Sequence, residues 1–176
     1  MADNATQFEQ MVSVYMDDKG TINNDGFVAI ARGFECASRA IFLNNVAKGW
    51  WENPERNFGE LMALVHSEVS EALEAYRDGD DIHDIAYEYP DYDMYEVRNG
   101  DDEMVKRFGP TKDSTLQTDD GETVLGKPVG VASELADVII RILDIAEGLN
   151  IPVTQALIEK HQYNQTRAYR HNGKKC

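Results

Sequence analysis

Leu61 to Arg77 reads LMALVHSEVSEALEAYR, with the periodicity of one amphipathic helix. Leu61, Val65, Val69, Ala72 and Tyr76 recur at spacings of three and four, which gathers them on one face. Glu68 falls inside that face, between Leu61 and Ala72, and Glu71 lies one turn further on, at its edge. Helical residues three apart have Cβ atoms about 5–6 Å apart, so the two carboxylates are spaced to share one ion. A carboxylate on a core-facing stripe costs free energy unless it is paired or bound to metal. Taken alone, Glu68 and Glu71 fit either a buried ion pair or a metal site.

A second acidic pair shifts the balance. Ser133-Glu134-Leu135-Ala136-Asp137-Val138 opens another helix, expected to run to about Gly148. Val131, Leu135, Val138, Ile142, Ile145 and Leu149 form its expected apolar stripe, with Glu134 and Asp137 three apart on one flank and Arg141 a turn beyond. Glu134 alone would be an ordinary favourable acid in a first helical turn. That explains each residue singly but not the matched spacing on two helices. Glu68, Glu71, Glu134 and Asp137 together make an all-oxygen ligand set, which suits a hard cation such as Mg²⁺ or Mn²⁺.

The rest of the chain supplies two further helices. Asn23-Asn24-Asp25 is an N-terminal capping turn, and Phe27, Ile30, Ala31, Phe34, Ala37 and Ile41 then hold helical spacing to about Lys48, with Gly49 as the stop. Residues 1–20 fit either a short helix or an extended segment. Trp50 and Trp51 follow the helix. Either one packs in the core while the other covers a loop, or a ring stacks on a nucleobase, with Asn44 and Asn45 near enough in sequence to bond a base edge. From Asp78-Gly79 to about Pro128 the chain is long, acidic and turn-rich, yet Tyr87, Tyr89, Tyr92, Met94, Tyr95 and Phe108 give it something to bury. Its Lys106–Gly126 portion reads as a loop. Long connections of this kind are either lids, interface elements or surface excursions. A last helix begins near Pro152; Val153, Leu157, Lys160, Asn164, Arg167 and His171 form one seam, apolar at its start and polar or basic at its end. The tail adds Arg170, Lys174 and Lys175.

At 176 residues the chain suits one domain, residues 1–176, and a net charge of −15 argues against a nucleic-acid duplex or an anionic membrane as partner. Cys36 and Cys176 do not suggest a disulfide framework, and no apolar run is long enough to span a bilayer, so the cytoplasm is the expected compartment. A di-iron carboxylate bundle would need Glu-x-x-His on two helices, and His66 precedes Glu68 by two instead.

Glu68-x-x-Glu71 in HSEVSEALEAYRDG, Glu134-x-x-Asp137 in SELADVIIRILD and the C-terminal KHQYNQTRAYRHNGK resemble the all-α nucleoside triphosphate pyrophosphohydrolases typified by MazG. The resemblance covers roughly residues 40–79 and 130–175. It departs at Ser67, where the family often has a further Glu, and at the ending His171-Asn172-Gly173-Lys174. The resemblance implies an all-α four-helix bundle with a long acidic insertion, about 79–129, between the two metal-binding helices. It implies Mg²⁺-dependent hydrolysis of a deoxynucleoside triphosphate, leaning to a purine such as dGTP, to the monophosphate and pyrophosphate. Glu68, Glu71, Glu134 and Asp137 would hold Mg²⁺, with Mn²⁺ able to substitute, and Glu68 or Glu71 would activate the attacking water. Lys160, Asn164, Arg167, Arg141 and Lys174 would hold the phosphates, and Trp50, Trp51 and Asn44 would meet the base. A homodimer or homotetramer is expected. The competing reading is a non-enzymatic acidic helical interaction protein.

Overall fold

The computed structural model describes residues 13–53, 55–89, 95–98, 104–107, 110–118 and 120–168, with the backbone alone at 95–98 and 104–107. Among these residues the chain is mostly helical. The four helices are α1 (Asn24–Ala47), α2 (Phe58–Asp78), α3 (Val131–Gly148) and α4 (Val153–Gln165). Between α2 and α3 lie six short strands, β1 (Ala86–Glu88), β2 (Tyr95–Arg98), β3 (Met104–Arg107), β4 (Thr115–Gln117), β5 (Thr123–Leu125) and β6 (Lys127–Val129). No described helix is long and apolar enough to cross a membrane. The chain divides into two compact units, residues 1–55 with 143–176 and residues 56–142, and the division falls within α3.

In the first unit, α1 starts where its capping signal stands: the Asn23 side chain accepts from the Gly26 amide at 2.9 Å. Phe27, Ile30, Ala31, Phe34, Ala37 and Ile41 are all at least half-buried, as their spacing requires. Before α1, Ser13 is helical, Val14 and Tyr15 form a turn, and Met16 pairs with Ile22 in an isolated antiparallel bridge, so the described part of this stretch is neither wholly helical nor wholly extended; residues 1–12 lie outside the described residues. Trp51 packs on Gly148, where a Cβ would overlap its ring carbons, and against Phe42 at 5.5 Å between centroids. Its Nε1–H donates to Oδ1 of the buried Asp144 at 3.0 Å.

On α4 the covered positions are Val153, Thr154, Ile158 and His161 rather than the seam expected from Val153 to His171. Leu157, Lys160 and Asn164 face solvent, and a His161 ring nitrogen lies 3.1 Å from the Gly20 carbonyl oxygen. The helix ends at Gln165, so Arg167 follows the last turn instead of extending it.

In the second unit, Asn57 caps α2 by accepting from the Gly59 and Glu60 amides. Gly79, at φ +100°, ends it in the left-handed conformation that favours glycine, while the Asp80 amide reaches back to Ala75 O at 3.1 Å. β1 and β6 then pair antiparallel, Ala86 with Val129 and Glu88 with Lys127. Tyr87 directs its N–H and C=O away from β6 to Thr111, so Pro128, which has no N–H, sits opposite it without losing a ladder bond. This ladder joins the chain leaving α2 to the chain entering α3. The stretch expected to be a loop instead carries a β4–β5 hairpin, with Leu116 and Tyr89 buried and the Tyr89 hydroxyl donating to Asp113 O at 2.8 Å.

Candidate metal centre

Three of the four expected acids meet in the second unit. Glu68 from the middle of α2 and Glu134 and Asp137 from the first turns of α3 each place a carboxylate oxygen within 4.8 Å of the others. Glu68 is 7 % exposed, one of three polar or charged residues buried among those described. It takes the centre of the covered face of α2, which runs Leu61, Val65, Glu68, Ala72, Ala75. Val69 and Tyr76, expected on that face, are exposed.

The same rotation occurs on α3. In its first half the covered positions are Val131, Glu134, Asp137, Val138 and Arg141, while Leu135, Ile139 and Ile142 face outward. The expected apolar stripe is therefore corrected: the acidic flank turns inward here. From Leu143 to Ala146 every residue is buried, which includes the expected Ile145. Gly130, at φ +94°, makes the sharp entry from β6 into α3, and Ser133 donates from Oγ to Pro128 O at 3.0 Å.

Arg141 completes the cluster. Its Nε donates to Glu68 Oε1 at 3.0 Å, with the guanidinium side chain 32 % exposed. Burial, and then the negative charges of Glu71, Asp137 and Glu68, push the Glu134 carboxyl above the usual carboxylate range, while Lys127 pulls it partly back. Glu71 is exposed and stands outside the close triad, but its charge is felt at Glu134. Ser67 donates to Glu71 Oε1 at 2.8 Å. Ser67 thus tethers Glu71, and their i, i+4 spacing was a readable signal for this bond.

The donor set fits a hard divalent cation. Carboxylate oxygens are the ligands that Mg²⁺, Mn²⁺ and Ca²⁺ take, and three from two helices stand close enough to converge on one ion. Asn44 and Trp50 are exposed in the first unit, whereas Trp51 is packed as described, the core option for one tryptophan of the pair. Lys160 lies 5.7 Å from the centroid of the Tyr163 ring, and Arg167 Nη1 donates to Asn164 Oδ1 at 3.5 Å. Lys174, His171 and Arg170 lie outside the described residues.

Asp144 is a buried acid that periodicity alone did not single out. It stands seven residues beyond Asp137 between Leu143 and Ile145, and an acid so flanked is a signal for a buried hydrogen bond. Comparison with family models, curated proteins and solved structures finds no match to this chain.

Proposed function

We propose that this chain is a MazG-like, Mg²⁺-dependent nucleoside triphosphate pyrophosphohydrolase, releasing a monophosphate and pyrophosphate from a deoxynucleotide such as dGTP. The observation that carries the reading is the convergence of Glu68, Glu134 and Asp137, from two helices, around one point. Carboxylates that raise one another's cost of ionisation are an unfavourable way to fill a helix interface unless a cation binds there.

When bound, the ion supplies charge neutralisation at the phosphates and a water acidic enough to be deprotonated near neutral pH. Glu68 is fixed by burial, and Glu134 and Asp137 by the first turns of α3, so these three would hold the ion. Glu71 is solvent-facing and held by Ser67, which suits it to orient a water and accept its proton. Arg141, Lys160, Asn164, Arg167 and Lys174 are the donors assigned to the phosphates, and Trp50, Trp51 and Asn44 to the base; their roles rest on the resemblance.

The same reading makes the protein a homodimer or homotetramer in the cytoplasm. It is supported by the outward apolar face of α3, Leu135, Ile139 and Ile142 in the second unit, which carries no charged residue. A second copy has the same bare face and covers it without a new partner.

Glu68→Gln tests the site. It keeps size and shape while removing one metal charge. Turnover of dNTP should fall at least about 100-fold, beyond the range for losing an outer-shell partner, and the Mg²⁺-induced rise in melting temperature should shrink. Unchanged turnover in a folded variant would remove Glu68 from the chemistry. Neither turnover nor metal binding in the parent protein would favour the acidic interaction protein instead.

A further inference from the structure

We propose that Arg141 is the resident counter-cation of the acid cluster and must give up Glu68 before a divalent cation is bound in full. The inference rests on the metal reading above and names what regulates that site. Arg141 and Asp137 are four apart on α3 and share its inward face, while Glu68 comes from α2. The Nε–H of Arg141 occupies Glu68 Oε1 at 3.0 Å, and Glu68 offers an oxygen to the same triad.

A positive charge is thus already held against one of the three carboxylates that would bind the cation. Three clustered carboxylates would otherwise repel across the α2–α3 contact, and a buried Glu68 without a partner would be costly. Arg141 answers the Glu68 charge in the metal-free protein. It also opposes the cation: it adds like charge at the site, and its bond to Glu68 has to be loosened or redirected. Stabilising the empty site and weakening cation affinity are two effects of one side chain. A purely structural arginine would have only the first, and one that helps to bind the ion would have the opposite sign on the second. Arg141 is on this account a positioning residue for the cluster.

The two effects separate in one experiment on the full chain. Mn²⁺ binding is measured by calorimetry and by the electron paramagnetic resonance of free Mn²⁺, with melting temperatures taken in EDTA. Arg141→Gln should melt lower than the parent in EDTA yet bind Mn²⁺ more tightly, by about tenfold or more. Removing a unit positive charge about 5 Å from a doubly charged ion gives that factor even with water-like screening. Arg141→Lys, which keeps the charge but lacks the Nε donor, should tighten binding less than Gln. If the parent binds Mn²⁺ and Arg141→Gln binds it equally or more weakly, the inference is overturned. If neither binds, the metal reading itself falls and this inference falls with it.

Should Arg141→Gln fail to fold, the parent protein provides the test. The Arg141 Nε–H resonance, identified by its loss in Arg141→Lys, should shift on saturation with diamagnetic Mg²⁺. A resonance that stays in place while Mg²⁺ binds would overturn the displacement.

Discussion

Glu68 sits where an amphipathic helix would normally place a leucine, and its neighbours explain why the position is tolerated. Arg141 answers its charge, while Glu134, about two turns earlier on α3, is left to feel the other acids. The raised Glu134 pKa has a defined consequence. A raised acid in the folded state means that ionising it at neutral pH opposes folding. Stability should therefore rise as pH falls from 7 through the raised pKa, and stop rising near 4.5, where the unfolded chain is protonated too. Glu134→Gln removes the penalty at all pH values. In EDTA at pH 7 the variant should be more stable than the parent, and the gap should close as pH falls through the raised pKa towards 4.5. Urea melts at both pH values read it directly. At this scale the sequence was informative about Glu68, Glu134 and Asp137 because charged residues inside or beside an apolar stripe are visible as such. Arg141's partner was not visible, since nothing in spacing says which helix faces which.

The elements were legible to different depths. α1 follows its periodicity residue for residue, because its apolar stripe is also its covered face. On α2 and on the first half of α3 the boundaries agree within three residues, yet the covered face is turned towards the acids, with Val69, Tyr76, Leu135 and Ile142 left outside. Periodicity identifies apolar residues, not the surface that receives them. α4, with its short apolar register, packs through Ile158 and His161 for the same reason. The strands between α2 and α3 are three or four residues long, too short for alternation to announce them. Gly148 is the last residue of α3. Glycine to alanine in a helix usually stabilises by roughly 1 kcal/mol. Here the new Cβ would overlap the Trp51 ring, which is itself fixed to Asp144. Gly148→Ala should instead destabilise by about 2–3 kcal/mol, with the Trp51 fluorescence altered. A stabilised variant would show that the indole has room to move.

For the whole molecule, charge and exposure pull in opposite directions. A net charge of −15 keeps copies apart at long range, while the bare apolar face of α3 favours bringing them together. Added salt screens the first and leaves the second, so self-association should strengthen with ionic strength. Sedimentation velocity should find a dimer or tetramer that Ile139→Lys disrupts without loss of helicity; a monomer at every salt concentration would contradict the assembly. Length and composition bound the number of domains, while how the chain divides into two compact units depends on contacts that they do not encode.

The chemistry proposed for Glu68, Glu134 and Asp137 is met most directly by the products of the reaction. The full chain is incubated with a panel of nucleoside and deoxynucleoside triphosphates in Mg²⁺, Mn²⁺ or EDTA, and the nucleotide and inorganic products are both identified. Monophosphate and pyrophosphate in equal amounts, formed with either metal and abolished by EDTA, are the expected result. Diphosphate with orthophosphate would place attack at the γ-phosphorus, and full turnover in EDTA would leave the acid cluster without the role given to it.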